Sequence, residues 1–175
     1  MFEFYLSLGS NLGDRNLNLK NAIEYISSYK INNQNIASIL EMSSIYESAP
    51  IPLSKQQNFF NTMIKIESEL QPIELLEALK IIEKELGRDS TRKNQSRIID
   101  IDIIFAQSSA KHILISQSEY NGRLELPHPR AHLRAFVLVP LIEIDTNLIH
   151  PVVNKTGEQM LSVLEKQEIS KIAKF

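Results

Sequence analysis

The chain contains no cysteine, which excludes disulfides, thiolate metal ligands and a thiol nucleophile. No apolar run approaches the roughly 18–20 residues that a membrane span needs. The opening Met1-Phe2-Glu3-Phe4-Tyr5-Leu6 carries no basic stretch and soon meets Gly9-Ser10-Asn11, which argues against a secretory leader and for a cytoplasmic protein. Gly9-Ser10-Asn11-Leu12-Gly13 could cradle phosphate at a helix start, but Walker and Rossmann glycine spacings are missing too, so the plain turn is the preferred reading. There is no excess of positive charge: the net value of −2 argues against a surface that seeks nucleic acid.

What is present is ordinary in amount and uneven in placement. With 175 residues, 43% hydrophobic and 23% charged, the chain fits one domain (1–175) with a sizeable core. Lysines are scattered, whereas six of the seven arginines lie between Arg88 and Arg134. Guanidinium forks match phosphate oxygens, so this clustering points to a place where phosphate is gripped.

Inside that region runs Arg97-Ile98-Ile99-Asp100-Ile101-Asp102-Ile103-Ile104-Phe105. Its β-branched residues predict a buried strand, and strand alternation puts Asp100 and Asp102 on one face. Two unpaired carboxylates in an apolar setting would cost several kcal/mol or take up protons. Cations must therefore meet them, either arginines or hard divalent metals, which favour oxygen ligands.

The rest of the chain supplies a frame. Residues 2–8 predict a first strand, and Asp14 an N-cap for a helix with Leu17, Ala22, Ile23 and Ile26 on its buried side. Residues 32–35 read as a polar connector, residues 36–46 as a second strand, and residues 47–58 as a long loop of the kind that is functional or mobile. The next strand, Phe59 to Glu67, sets Phe59 and Asn61 on one face, an aromatic plate beside a carboxamide. Pro72 opens a helix with Leu76, Leu79, Ile82 and Leu86 on its stripe, and Gly87 stops it. A basic polar loop, 88–96, leads to the aspartate strand. Beyond it come a short strand at 112–115, the stiff Pro127-His128-Pro129-Arg130, a helix over 134–141 and a last amphipathic helix over 155–166. The order β-α-β-β-α-β predicts an α+β, ferredoxin-like split βαβ sandwich with a C-terminal helical extension.

Gly9-Ser10-Asn11-Leu12-Gly13-Asp14, Gly87-Arg88, Arg97 to Ile103, Pro127 to Arg130, and Arg134-Ala135-Phe136-Val137-Leu138-Val139-Pro140-Leu141 together resemble the 6-hydroxymethyl-7,8-dihydropterin pyrophosphokinase family of folate biosynthesis. The resemblance implies transfer of pyrophosphate from ATP to the pterin hydroxymethyl group, with two Mg2+ held by Asp100 and Asp102. It implies catalytic roles for Asp100, Asp102, Arg97, Arg88 and Lys93. Nucleotide contacts are implied for Glu83, Arg97, Ile101, Arg123, His128 and Arg134. Pterin contacts are implied for Ser48, Ala49, Pro50, Phe59, Asn61, Asp100 and Phe136. The expected partners are these two small molecules, with neither nucleic acid nor membrane. The chain departs from the family's wording at Lys93-Asn94-Gln95-Ser96-Arg97, where many members read Arg-Trp-Gly-Pro-Arg. It also carries Pro52 where glycine is frequent and Ser48-Ala49 where others have Thr-Pro. Paired aspartates also serve metal-dependent phosphodiesterases and nucleases, and a ferredoxin-like fold also serves RNA-binding modules. The first would hydrolyse nucleic acid without a pterin. The second calls for adjacent sheet-face aromatics and a basic surface, which this sequence lacks.

Overall fold

A computed structural model describes residues 1–51, 55–88, 95–164 and 172–175. The predicted frame is present. β1 (Phe2–Ser10) leads to α1 (Arg15–Ser28), and a small hairpin follows, β2 (Lys30–Ile31) and β3 (Gln34–Asn35). Next come β4 (Ser38–Met42), β5 (Tyr46–Ser48), β6 (Phe59–Ser68), α2 (Pro72–Glu85), β7 (Asp100–Ser108) and β8 (Lys111–His112). A 3-10 turn (Ala131–Leu133), α3 (Ala135–Ile144), α4 (Gly157–Leu161) and β9 (Ala173–Lys174) complete the order. The main sheet has seven strands in the order β8-β7-β1-β6-β5-β9, with β4 also on β6, and its pairings are antiparallel. This is the ferredoxin-like arrangement, with a further layer on the opposite face of the sheet.

Each face of the sheet carries its own core. Phe4, Leu6, Leu8, Ile64, Ile101 and Ile103 pack with Leu19, Ala22 and Ile26 of α1 and Leu75, Leu79 and Ile82 of α2. Tyr5, Met63, Ile104 and Phe105 pack with Val137, Leu138 and Leu141 of α3 and Met160 of α4. Each such fully buried aliphatic side chain contributes about 1.5–3 kcal/mol of transfer free energy. α3 lies across β6 and is apolar nearly all round.

Several local expectations change. Leu17 is exposed, and Leu19 takes its place on the buried side of α1. On α2 the buried positions are Leu75, Ala78, Leu79, Ile82 and Glu83, so Leu76 and Leu86 lie at the margin of the stripe. The polar connector is a hairpin: Asn32 and Asn33 both have positive φ, as a two-residue type I′ turn demands. The second strand is broken at residues 43–45, and the loop expected from residue 47 begins after Ser48. Ser43 causes the break, because its buried hydroxyl accepts the Met63 N–H at 2.9 Å in place of a regular ladder bond. The aspartate strand starts at Asp100, not Arg97, and the short strand is Lys111–His112. Among the described residues the last helix is Gly157–Leu161, and residues 165–166 of its expected span lie outside them. Among the described residues no helix is long and apolar enough to cross a membrane.

His150 is buried, with 2% exposure, and its Nδ1 accepts the Val152 and Val153 N–H groups at 3.2 and 3.3 Å. Burial, and then the neighbouring His132 and His112, push its pKa down to about 4 from the ordinary 6.5. The unfolded chain therefore binds a proton that the native state rejects between these values. This contribution is complete above pH 6.5 and is lost as pH falls toward 4, amounting to about 2–3 kcal/mol at pH 4.5. Urea unfolding at pH 7.5 and 4.5 is expected to show that loss. His150→Asn, whose carboxamide oxygen can accept the same two N–H groups, is expected to lose less. An equal loss in the variant would place the acid sensitivity elsewhere.

Candidate active site

Register decides which side chains share the site. Gly9 on β1 is opposite Asn61 on β6 and Asp100 on β7, and Ser7 is opposite Met63 and Asp102. Directly opposed residues point to the same face. Met63 belongs to the core under α3, so Asp100, Asp102 and Asn61 all open on the α3 side. Asp100 and Asn61 stand two strands apart, roughly 10 Å. Gly9 is the floor between them. A Cβ there would come within 3.2 Å of Asn61 Oδ1 and 3.6 Å of the Phe59 ring, so the glycine keeps the space above the sheet open. The turn reading missed this role, whose signal is visible only once β1 is threaded between β6 and β7.

A β-bulge shapes the aspartate strand. Tyr5 pairs with Phe105 but Leu6 pairs with Ile103, leaving Ile104 as an extra residue. Ile104 and Phe105 consequently face the same core, against strict alternation. The Ile104 carbonyl accepts the His128 N–H at 2.9 Å, which docks the proline-flanked segment beside Asp102.

The carboxylates meet arginines from two directions. Gly87, at φ +93°, turns the chain after α2 and sends Arg88 back toward that helix. Arg88 forms ion pairs with Glu83 and, at 2.7 Å, with Asp100, and Arg97 donates to the other oxygen of Asp100. Glu83 is 2% exposed and accepts the Ile101 N–H at 2.6 Å, while Lys80 pairs with it at 3.0 Å. Burial raises the Glu83 carboxyl above its ordinary pKa, with Lys80, Arg88 and the Ile101 N–H pulling the other way. Among the described residues no ion pair reaches Asp102, although its charge is felt by Arg88, His128 and Arg134.

His128 Nδ1 accepts the Arg130 N–H at 3.2 Å, so in the neutral ring Nε2 carries the proton. Burial lowers its pKa, Asp102 opposes, and Arg134 and Arg130 add to the lowering. Arg134 caps α3 and is itself pushed down by burial and by Arg130. Its guanidinium lies 5.5 Å from the Phe136 ring.

The carboxamide site is built next door. Asn61 is 3% exposed and donates through Nδ2 to Ser48 Oγ at 2.8 Å. Ala49 and the buried Pro50 follow directly on β5. Phe59 stands one pleat away on the same face, and Phe136 sits in the first turn of α3. Asn11, 1% exposed, joins the surrounding loops: its Oδ1 accepts the Arg97 N–H at 2.7 Å and its Nδ2 donates to Gln56 Oε1 at 3.1 Å.

The structure thus gathers Asp100, Asp102, Arg88, Arg97, Glu83, His128 and Arg134 on one side of Gly9, and Ser48, Phe59 and Asn61 on the other. Ile101 enters through its backbone only. Its side chain is core, its N–H goes to Glu83, and its carbonyl accepts from Lys80 at 3.2 Å. Arg123 is paired with Glu77 on α2 at 2.8 Å. Lys93 lies outside the described residues.

The class is that of a ferredoxin-like fold whose sheet carries carboxylates interleaved with guanidinium groups beside a buried carboxamide. The sequence agrees at a finer level, for residues 5–146 match the profile of the 7,8-dihydro-6-hydroxymethylpterin-pyrophosphokinase (HPPK) family. The chain belongs to that family. The folic acid synthesis protein fol1 of Pneumocystis carinii is 41% identical over 93% of this chain, which spans 20% of that protein. The 2-amino-4-hydroxy-6-hydroxymethyldihydropteridine pyrophosphokinase of Haemophilus influenzae is 36% identical over 95% of this chain and 93% of its own length. The chain therefore spans about a fifth of the fol1-type relatives and nearly all of the bacterial one. A crystal structure of Plasmodium falciparum HPPK-DHPS superposes with a TM-score of 0.70 at 17% identity, over 99% of this chain and 46% of that one, and shows the shared fold.

Proposed function

We propose that this chain transfers the terminal pyrophosphoryl group of ATP to the hydroxymethyl oxygen of 6-hydroxymethyl-7,8-dihydropterin, giving the pterin diphosphate and AMP for folate biosynthesis. One observation carries the reading: Asp100, Gly9 and Asn61 lie in register across three strands and open on one face. A carboxylate and a carboxamide on one rigid support, with the floor between them clear, support reading the first as phosphate-handling and the second as heterocycle-reading. In the reaction the substrate oxygen bonds to the β-phosphorus, the bond from that phosphorus to the oxygen bridging to the α-phosphate breaks, AMP leaves with that oxygen, and the hydroxyl proton passes to solvent.

The donor set suits magnesium. Asp100 and Asp102 offer oxygen alone, and no cluster of three or more acidic or histidine ligands occurs among the described residues. Magnesium is characteristically held by one or two carboxylates plus substrate phosphates, without a full protein cage. Two such ions, held by Asp100 and Asp102, would neutralise charge on the triphosphate oxygens. Around them Arg88, Arg97 and Arg134 grip phosphate oxygens, Lys93 adds a point charge, and His128 donates through Nε2. Arg88 and Arg97 then exchange Asp100 for phosphate, an exchange of one charge-assisted hydrogen bond for another. Phe59 and Phe136 hold the bicycle by its faces, Asn61 reads its edge, and Ser48 through Pro50 close the site beside it. Positioning and electrostatics of this kind need no protein nucleophile.

Incubation with ATP, magnesium and hydroxymethyl-dihydropterin, resolving AMP from ADP, tests the reading. Pterin-dependent AMP is expected. Formation of ADP, or no turnover beside an active control enzyme, would overturn it.

A further inference from the structure

β5 is only three residues long, yet it delivers Ser48 to Asn61 and leads straight into Ala49 and Pro50. One of its edges pairs with β6, Tyr46 opposite Asn61 and Ser48 opposite Phe59. Its other edge is covered by the C-terminal end of the chain: Tyr46 pairs with Lys174, Glu47 pairs with Ala173, and the Phe175 N–H donates to the Ile45 carbonyl at 2.8 Å. Successive strand residues face opposite ways, so this end reaches both sides of the sheet.

On the α3 side, Lys174 Nζ donates to Glu143 at 3.1 Å. The same carboxylate accepts the Ser44 N–H at 2.8 Å, the Ser44 hydroxyl at 2.7 Å and the Tyr46 hydroxyl at 3.0 Å. Burial opposes its charge, but these bonds hold its pKa down to about 2, so the acceptor stays ionised throughout the working range. Glu143 and Phe136 lie on α3 two turns apart, and residues at that spacing share a helix face. The helix that presents Phe136 is therefore tied directly to the strand that presents Ser48. On the α1 side, the Phe175 ring lies 4.3 Å from that of Phe60, and the Arg15 guanidinium lies 3.6 Å from the same ring. Arg15 also bonds Glu47 at 2.7 Å and the Asn58 carbonyl at 2.8 Å, joining the two ends of the segment between β5 and β6.

We infer that Glu143, Lys174 and Phe175 form a strap that sets the pterin subsite, acting as positioning residues for Ser48, Asn61 and Phe136. The inference rests on the reading of Phe59, Asn61 and Phe136 as that subsite. Lys174 and Phe175 are exposed, and neither belongs to the two cores, so the fold gains little from them as packing. Their contacts converge on a strand too short to hold its own register through a few ladder bonds. A site formed in only a tenth of the molecules binds about tenfold more weakly, and holding β5 in place avoids that loss. Among the described residues no hydrogen bond or ion pair joins the strap to β7, α2 or the segment at His128, and only Arg134, at the far end of α3, shares an element with it.

The test uses the whole chain, Glu143→Gln, Phe175→Ala, Phe175→Tyr and a chain ending at residue 171. Dissociation constants are measured for dihydropterin, with a non-hydrolysable ATP analogue and MgCl2 at saturation, and for the analogue alone, beside thermal melting. Glu143→Gln, Phe175→Ala and the shortened chain are expected to weaken pterin binding about tenfold or more and analogue binding less than about twofold. Phe175→Tyr, which keeps the ring, is expected to bind pterin normally. Unchanged pterin binding in Glu143→Gln and Phe175→Ala would overturn the strap. Equal loss of both ligands with a lowered melting midpoint would overturn it too, as a purely structural role. Failure of the unaltered chain to bind pterin would instead overturn the assignment of the subsite on which the strap depends.

Discussion

Asp102→Ala is expected to abolish pyrophosphoryl transfer while leaving cooperative unfolding nearly unchanged. Among the described residues Asp102 has no ion pair, so its removal breaks no direct charge pairing, although Arg134 and His128 lose a nearby opposite charge. Under the proposed function, loss of Asp102 would remove one of the two carboxylates that hold the magnesium ions, and with it neutralising charge at the triphosphate. Charge stabilisation of this kind is worth several kcal/mol, and at about 1.36 kcal/mol per decade the rate should fall by about 10³-fold or more. Asp100→Ala should be equally inactive but also less stable, because Arg88 and Arg97 both pair with it. Steady-state AMP formation beside urea unfolding separates the two cases. Near-normal turnover in either variant would show that the pair does not hold the metal.

Glu83→Ala is expected to be the most damaging single change for stability among the charged groups of the site. Glu83 is 2% exposed, yet it accepts a backbone N–H from the aspartate strand and pairs with both Lys80 and Arg88. Alanine leaves the Ile101 N–H without its acceptor and Arg88 without its inner partner. Breaking a buried ion pair on one side costs about 3–5 kcal/mol. Activity should fall as well, since Arg88 reaches Asp100 from its position against Glu83. Glu83→Gln keeps a carbonyl acceptor for the Ile101 N–H and should retain more stability than the alanine variant. A loss below about 1 kcal/mol in Glu83→Ala would mean that Arg88 and Ile101 find other partners, and that α2 is not what holds the strand in place.

The two predictions expose a division within the site. Asp100 and Asp102 were legible because β-branched neighbours mark a strand and alternation then puts both carboxylates on one face, an argument that uses only adjacent residues. The helix α2 was legible for the same reason, from Pro72, the apolar stripe and Gly87. Glu83 was placed only by resemblance: nothing local distinguishes a buried glutamate on a helix from an exposed one. The bulge at Ile104 escaped because it depends on β1, nearly a hundred residues earlier in the chain, and without it Phe105 would face the wrong core. Leu19 stands three, four and seven residues before Ala22, Ile23 and Ile26, so the helical period itself favours it over Leu17, which that period sets on the opposite side. The break at Ser43 needed the buried partner Met63, and the hairpin at Asn32-Asn33 needed a partner strand only two residues long.

The sequence by itself determined the order of the major elements, the arginine-rich surroundings of the aspartate strand and, through its motifs, the family. These follow from periodicity, capping and residue chemistry, which act over a few neighbouring positions. The tertiary structure alone decided which strands adjoin. It thereby made Gly9 the floor between Asp100 and Asn61, and it brought Phe175 from the end of the chain to Phe60 beside the start of the long loop. Register between distant strands is set by the packing of both cores at once, and no local pattern in the chain encodes that sum.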